Sequence, residues 1–146
     1  MTEPSAAEGS GSRVLALDLG ESRIGVAVSD PDRRVAVGLG TIRTGAPQDL
    51  KSVAALVAEH AVREIVVGHP LLMAGGRGER AAQAERFAEA LSEALRIPVH
   101  LQDERLTTVE AERRLSSAGH RGRGRRGLLD QAAAVLILQS YLDRAR

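Results

Sequence analysis

Three acidic side chains lie where the chain passes from one predicted element to the next. Asp18 ends an apolar run, Glu104 comes just after the predicted strand at 97–102, and Asp130 starts the predicted last helix. A carboxylate at the end of an apolar strand is costly unless it is paired or bound to a metal. Because ligands of an open sheet gather beyond the strand ends, we expect these acids to converge and to bind a hard cation such as Mg²⁺.

Such a carboxylate set suits phosphodiester hydrolysis. Two divalent cations about 3.5–4 Å apart can activate a water and stabilise the leaving oxygen, which leaves the protein mainly positioning and charge neutralisation. Each acid also has an ordinary alternative. Asp18 could accept a hydrogen bond from a backbone amide in the turn, and Glu104 could form an ion pair with Arg105. Asp130 could stabilise the N-terminus of a helix through its interaction with the helix dipole. The neighbouring Asp103 is the acid that the pattern supports least.

The hydrophobic pattern predicts the elements that must position these acids. Residues 13–30 and 35–42 form a three-stranded antiparallel meander, with Asp30 in a turn. Helices at 49–61 and 80–95 then alternate with strands at 64–70 and 97–102, and helices follow at 107–116 and 129–144. Residues 71–78 are a Gly-rich loop. The order predicts an α/β protein in which a mixed sheet, a meander plus parallel strands, is flanked by helices.

Composition limits the class of protein. The 146 residues suffice for one domain, and 43% are hydrophobic. Phe87 and Tyr141 are the only aromatic residues, so Leu, Val, Ile and Ala must build the core. The absence of cysteine excludes disulfides and thiol chemistry. No apolar run is long enough for a membrane span. We expect a cytoplasmic protein with no membrane association, a disordered leader at 1–12 and one domain at 13–146.

Arginines cluster in residues 119–127, which read as a loop just before Asp130. The four are Arg121, Arg123, Arg125 and Arg126. Such a segment suits a grip on a phosphate backbone, and the scarcity of aromatics argues against base stacking. The alternative is a solvated loop without a partner. We interpret the segment as a nucleic-acid contact that follows shape and charge more than base sequence.

Four motifs, in order, give the chain a resemblance to the YqgF family, also called RuvX. They are DLG at 18–20 with RIGVAVSD at 23–30, IVVGHPL at 65–71, DERLTTVEA at 103–111 and DQAAAVLILQ at 130–139. The resemblance implies an RNase H-like fold and a nuclease that uses Mg²⁺ or Mn²⁺ held by Asp18, Glu104 and Asp130. Arg23 and Arg105, inside two of the motifs, are assigned to substrate binding together with the arginines of residues 119–127.

The resemblance implies two substrates. Family members are described as Holliday-junction resolvases and as nucleases that process the 5′ end of the 16S ribosomal RNA precursor. We favour the RNA role and expect structured RNA or branched DNA as the partner of a monomer or homodimer. Residues 71–75, LLMAG, depart from the family's LNMDG. His69 replaces an aliphatic residue and is interpreted as structural.

Two other functions remain open at this stage. The DxG motif also opens actin-like and sugar-kinase ATPases, but those enzymes need two such domains. A nucleic-acid-binding factor without catalysis would keep the arginines and would not depend on the three acids.

Overall fold

A computed structural model describes residues 12–70, 78–103 and 123–145, with the backbone alone for residues 123–130. The strands are β1 (Arg13–Leu19), β2 (Arg23–Ser29), β3 (Ala36–Arg43), β4 (Val62–His69) and β5 (Val99–Asp103). The helices of this part are α1 (Gln48–Glu59), α2 (Glu79–Leu95) and α3 (Arg123–Ala145). For the elements in the described residues the predicted succession is confirmed, with shifts of one or two residues at most ends and a larger shift at the start of α3. The helix predicted at 107–116 and most of the 71–78 loop lie outside the described residues.

The five strands form one mixed sheet in the order β3-β2-β1-β4-β5. β1 pairs antiparallel with β2, and β2 pairs antiparallel with β3, so the predicted meander is confirmed. β4 pairs parallel with β1 and with β5. The carboxyl ends of β1, β4 and β5 therefore lie at one edge of the sheet, which we call the carboxyl edge.

Helices cover both faces of the sheet. Helices α1 and α2 pack on the face that carries Leu15, Leu17 and Ile65, and α3 packs on the face that carries Val14 and Ala16. β1 is central, and residues 14–17 have no exposed surface, which explains their uninterrupted apolar run. The buried hydrophobic residues of the described part are all Leu, Val, Ile or Ala, as composition predicted.

The last helix begins earlier than predicted. Residues 119–127 were expected to be a loop, but α3 starts at Arg123 and includes Arg125 and Arg126. Arginine is a good helix former, and a helix already docked through its apolar residues extends at low cost. Asp130 consequently lies about two turns inside the helix, so a role at its N-terminus is excluded.

Polar contacts fix α3 near the edge of the sheet opposite the carboxyl edge. The Gln139 side chain accepts a hydrogen bond from the Ala36 amide at 3.0 Å and donates one to the Arg34 carbonyl at 2.9 Å. The Tyr141 hydroxyl donates to Glu64 on β4. These contacts hold the helix axis over β3, β2 and β1.

The turn between β2 and β3 confirms the structural role of Asp30. Its Oδ1 accepts hydrogen bonds from the amides of Arg34 at 2.7 Å and Val35 at 2.8 Å. The Val35 amide is the main reason why the pKa of Asp30 lies below its ordinary value.

Among the described helices, none combines the length and the apolar character needed to cross a membrane.

Candidate active site and nucleic-acid interface

Asp18 lies near the end of β1, on the face of the sheet that α3 covers. Val14 and Ala16, which share this face by alternation, pack against α3. Asp18 pairs with Gly25 of β2, and on the other side its neighbour Leu17 pairs with Val67, the residue before Gly68. Both glycines are buried. The half-buried carboxylate therefore lies between two strand positions without side chains.

The start of α3 lies nearer the carboxyl edge than its end. Gln139 contacts Ala36 at the start of β3, whereas the Gln131 side chain lies beside Gly38, two residues farther along β3 toward the carboxyl edge. Asp130 directly precedes Gln131. It therefore belongs to the part of α3 nearest this edge, in a helix that packs on the face carrying Asp18.

Asp103 ends β5 at the same edge but on the other face. Gln102 faces α3, because its amide donates to the Ser140 hydroxyl at 3.1 Å. Alternation then places Asp103 on the α2 face, in register with His69. There the His69 ring lies 2.7 Å from Glu85 of α2. Asp103 and Asp18 therefore lie on opposite faces of the sheet. The contact with Glu85 agrees with the structural role predicted for His69.

The remaining predicted residues are described only in part. Glu104, Arg105 and Arg121 lie outside the described residues, and Arg123, Arg125, Arg126 and Asp130 are placed by their backbone. Among the side chains that the structure describes, no three His, Asp or Glu residues come close enough to hold a metal ion. Asp18 is the one predicted ligand with a described side chain. Its oxygens are the donor type that Mg²⁺ and Mn²⁺ prefer.

The turn between β1 and β2 connects Asp18 to Arg23. The Gly20 amide donates to the Arg23 carbonyl at 2.7 Å. A Cβ at Gly20 would lie 2.8 Å from that same oxygen, so only glycine fits this close approach. Arg23 is exposed and pairs in register with Arg43 of β3. Arg43 did not emerge from the sequence, because its partner depends on the strand register.

A second polar cluster lies at the other edge of the sheet. Glu64 accepts from Tyr141, lies 2.8 Å from the Arg33 guanidinium and 3.0 Å from the His100 ring. Burial alone would raise the pKa of Glu64, but the Tyr141 hydrogen bond and the Arg33 charge outweigh it and hold that pKa below its ordinary value. Burial and Glu64 raise the pKa of Tyr141 to about 12. This cluster fastens β4 to α3.

Solved structures with similar folds include the RuvC protein of Thermus thermophilus in complex with a Holliday junction substrate. The TM-score is 0.55 at 14% identity, and the match covers 92% of this chain and 96% of that one. A second structure of T. thermophilus RuvC gives a TM-score of 0.52. At this identity the likeness shows the fold, which is the RNase H-like fold predicted.

Sequence comparison gives a much closer match. A protein of Chloroflexus aurantiacus is 48% identical over 134 residues, covering 91% of this chain and 88% of the relative. A protein of Thermobifida fusca is 49% identical over 140 residues, covering 90% of this chain and 87% of the relative. Both carry the name "Putative pre-16S rRNA nuclease".

A family model described as "RuvX: Holliday junction resolvase" matches residues 12–144, which is almost the whole chain. The motifs around Asp18, Glu104 and Asp130 fall inside this match. The chain therefore belongs to the RuvX family.

Proposed function

We propose that this chain is a divalent-metal-dependent nuclease that hydrolyses phosphodiester bonds in structured nucleic acid. The observation that carries the proposal is the position of Asp18. A half-buried carboxylate lies in register with buried Gly25 and directly follows the fully buried residues 14–17 of the central strand, on the face that α3 covers. Its oxygens are the donor type that Mg²⁺ and Mn²⁺ prefer.

Asp18, Glu104 and Asp130 are the carboxylates that would hold Mg²⁺ or Mn²⁺. The cation would supply Lewis-acid charge, which lowers the pKa of a water and stabilises the leaving oxygen. The chain's own contribution is to fix the carboxylates. β1 holds Asp18 rigidly, and the Gln139 and Tyr141 contacts hold α3, so that the position of Asp130 does not depend on a loop. Such fixed placement is what phosphoryl transfer requires of a protein.

Arginines would bind the substrate around this centre. Arg23 lies on the Asp18 face of the sheet, and Arg123, Arg125 and Arg126 begin the helix that carries Asp130. Arg105 and Arg121 complete the proposed set. Contacts of this type neutralise phosphates and carry no base information, so recognition would follow the shape of the nucleic acid.

We propose the precursor of the 16S ribosomal RNA as the substrate, because the similar proteins of C. aurantiacus and T. fusca are named pre-16S rRNA nucleases. The family resemblance adds that the cut lies at the 5′ end of this precursor. A four-way DNA junction is the second candidate, because the family model is described as a Holliday junction resolvase. A junction resolvase cuts two paired strands and would need a two-fold dimer, whereas an RNA-trimming enzyme can act as a monomer.

Cleavage of two labelled substrates separates these functions. A 16S precursor fragment with its 5′ extension and a four-way DNA junction are incubated with Mg²⁺ or Mn²⁺, and the size of the products is determined for each. Metal-dependent cutting of the RNA at its 5′ extension supports the first proposal. Paired, symmetric cuts in the junction by a dimer support the second. Tight binding of either substrate without cleavage would contradict the proposed nuclease activity and would favour a nucleic-acid-binding factor without catalysis.

A further inference from the structure

Two arginines face each other directly across β2 and β3. Arg23 and Arg43 are partners in the antiparallel register, and both are exposed. Neither guanidinium makes an ion pair or side-chain hydrogen bond with any other residue of the described part of the chain. Like charges placed opposite each other destabilise a sheet. A site that binds an anion would offset this cost.

The hydrogen-bond pattern indicates how far apart the Cα atoms of Arg23 and Arg43 lie. The Arg23 carbonyl accepts from Gly20, so the peptide groups of Arg23 point toward β1 and away from β3. The Thr44 amide donates to the Ser22 carbonyl at 3.1 Å, which makes the adjacent pair the hydrogen-bonded one. Arg23 and Arg43 are therefore a non-hydrogen-bonded pair, the type whose Cα atoms are only about 4.5 Å apart.

A polar cleft surrounds the pair. It has a volume of about 740 Å³, and its lining includes the hydroxyl-bearing residues Ser22, Thr41 and Thr44 beside the two arginines. Glu21 is the acidic residue in this lining. The two guanidiniums, with the Thr41 hydroxyl two residues from Arg43, supply donors that a phosphate oxygen accepts.

The two arginines lie on the face that carries Asp18. Asp18 pairs with Gly25, and Gly25 pairs with Thr41. Arg23 and Arg43 lie two residues farther along these strands, which keeps them on the same face at a distance of roughly 7 Å along the strand direction. The irregularity between Val26 and Ala27 lies beyond this segment and does not change the register here.

We propose that Arg23 and Arg43 together form a seat for a single backbone phosphate of the substrate, next to the bond that the Asp18 centre cleaves. This inference rests on the proposed function, because it takes the same nucleic acid as the ligand. It adds Arg43 to the binding residues and assigns the arginine pair one shared phosphate.

Binding without cleavage tests the seat. The affinity of a fluorescent 16S precursor fragment, and separately of a four-way DNA junction, is measured by anisotropy in EDTA over a series of KCl concentrations. The variants are Arg23→Ala, Arg43→Ala, the double replacement and Arg43→Lys. Arg63→Ala is the matched control, since Arg63 is an exposed arginine at the start of β4. It removes the same charge far from the cleft.

One shared phosphate predicts a specific pattern. Arg43→Ala weakens binding about tenfold at low salt and lowers the slope of log affinity against log salt by about 0.7–0.9, the value for one lost phosphate contact. The double variant shows nearly the same slope as either single variant. Arg43→Lys keeps the slope but binds more weakly, because lysine cannot form the bidentate contact. Arg63→Ala stays near the parent affinity.

Three results would overturn the seat. In the first, Arg43→Ala has the same affinity and salt slope as Arg63→Ala. In the second, the double variant loses the sum of the salt slopes that the two single variants lose. In the third, the protein binds neither nucleic acid. Failure of the proposed function looks different. A chain that shows the predicted binding pattern, yet cuts nothing with Mg²⁺ or Mn²⁺, contradicts the nuclease and leaves the seat intact. Asp18-dependent cutting with an unchanged Arg43→Ala affinity contradicts only the seat.

Discussion

Gly38 of β3 lies beside the Gln131 side chain of α3, and replacing Gly38 by alanine tests whether this contact positions the site. A Cβ built on Gly38 would lie 2.6 Å from Cδ and 2.7 Å from Cγ of Gln131. Carbon atoms in contact are ordinarily about 3.5–4.0 Å apart. The new methyl group therefore forces the Gln131 side chain to move. Gln131 directly follows Asp130, so any shift of its backbone would displace a proposed metal ligand.

The change in the free energy of unfolding caused by Gly38→Ala is the sum of two opposing effects. Inserting a methyl group into a packed contact costs about 1–3 kcal/mol, and alanine recovers roughly 0.4–1 kcal/mol by restricting the unfolded chain. We expect Gly38→Ala to lower the free energy of unfolding by about 1–2 kcal/mol. We also expect it to slow metal-dependent cleavage, because the segment that carries Asp130 is displaced.

A double-mutant cycle isolates the contact. Gln131→Ala removes the Cγ and Cδ atoms that the new methyl group would meet and keeps good helix propensity. Urea unfolding and single-turnover cleavage are measured for Gly38→Ala, Gln131→Ala and the double variant. The double variant should regain most of the stability and rate that Gly38→Ala loses. An unchanged stability for Gly38→Ala, or no recovery in the double variant, would refute the reasoning.

Two further predictions concern the turn and the second polar cluster. Gly20→Ala places a Cβ 2.8 Å from the Arg23 carbonyl; urea unfolding should show a loss of about 1–3 kcal/mol, and a parent-like stability would contradict the tight turn. Tyr141 is the sole tyrosine of the chain, so its phenolate absorbance reports one group. It should titrate near pH 12, and Glu64→Gln should move the midpoint toward 10; an ordinary midpoint in the parent protein would contradict the Glu64 contact. Because folding raises the pKa of Tyr141, its protonated hydroxyl contributes fully to the free energy of unfolding below pH 10. This contribution is lost as the pH rises through about 12.

The central part of the fold could be predicted because local and tertiary signals agree there. The apolar run at residues 14–17 belongs to a strand covered on both faces, and the alternation of β2 reflects the same sheet. The start of α3 was predicted wrongly because the repeated glycines of residues 119–127 suggest a loop locally. Docking of the apolar residues that follow extends the helix back to Arg123.

The site could be predicted only where one residue is unusual by itself. Asp18 is conspicuous as a charge in an apolar strand. Arg43 is the last residue of a strand with no unusual sequence feature. Its proposed role in binding depends on the register that pairs it with Arg23. The separation of Asp103 from Asp18 likewise depends on which face α3 covers, and the sequence pattern of β5 does not contain that information.

The central claim is that the Asp18 carboxylate holds the catalytic cation. The most direct test measures Mn²⁺ binding by calorimetry, together with single-turnover cleavage, for Asp18→Asn and for Asp32→Asn. Asp32 is an exposed carboxylate in the β2–β3 turn, remote from the carboxyl edge. We predict that Asp18→Asn lowers both Mn²⁺ affinity and the cleavage rate by more than roughly 100-fold, while Asp32→Asn keeps the parent values. Parent-like metal binding and cleavage in Asp18→Asn would contradict the account.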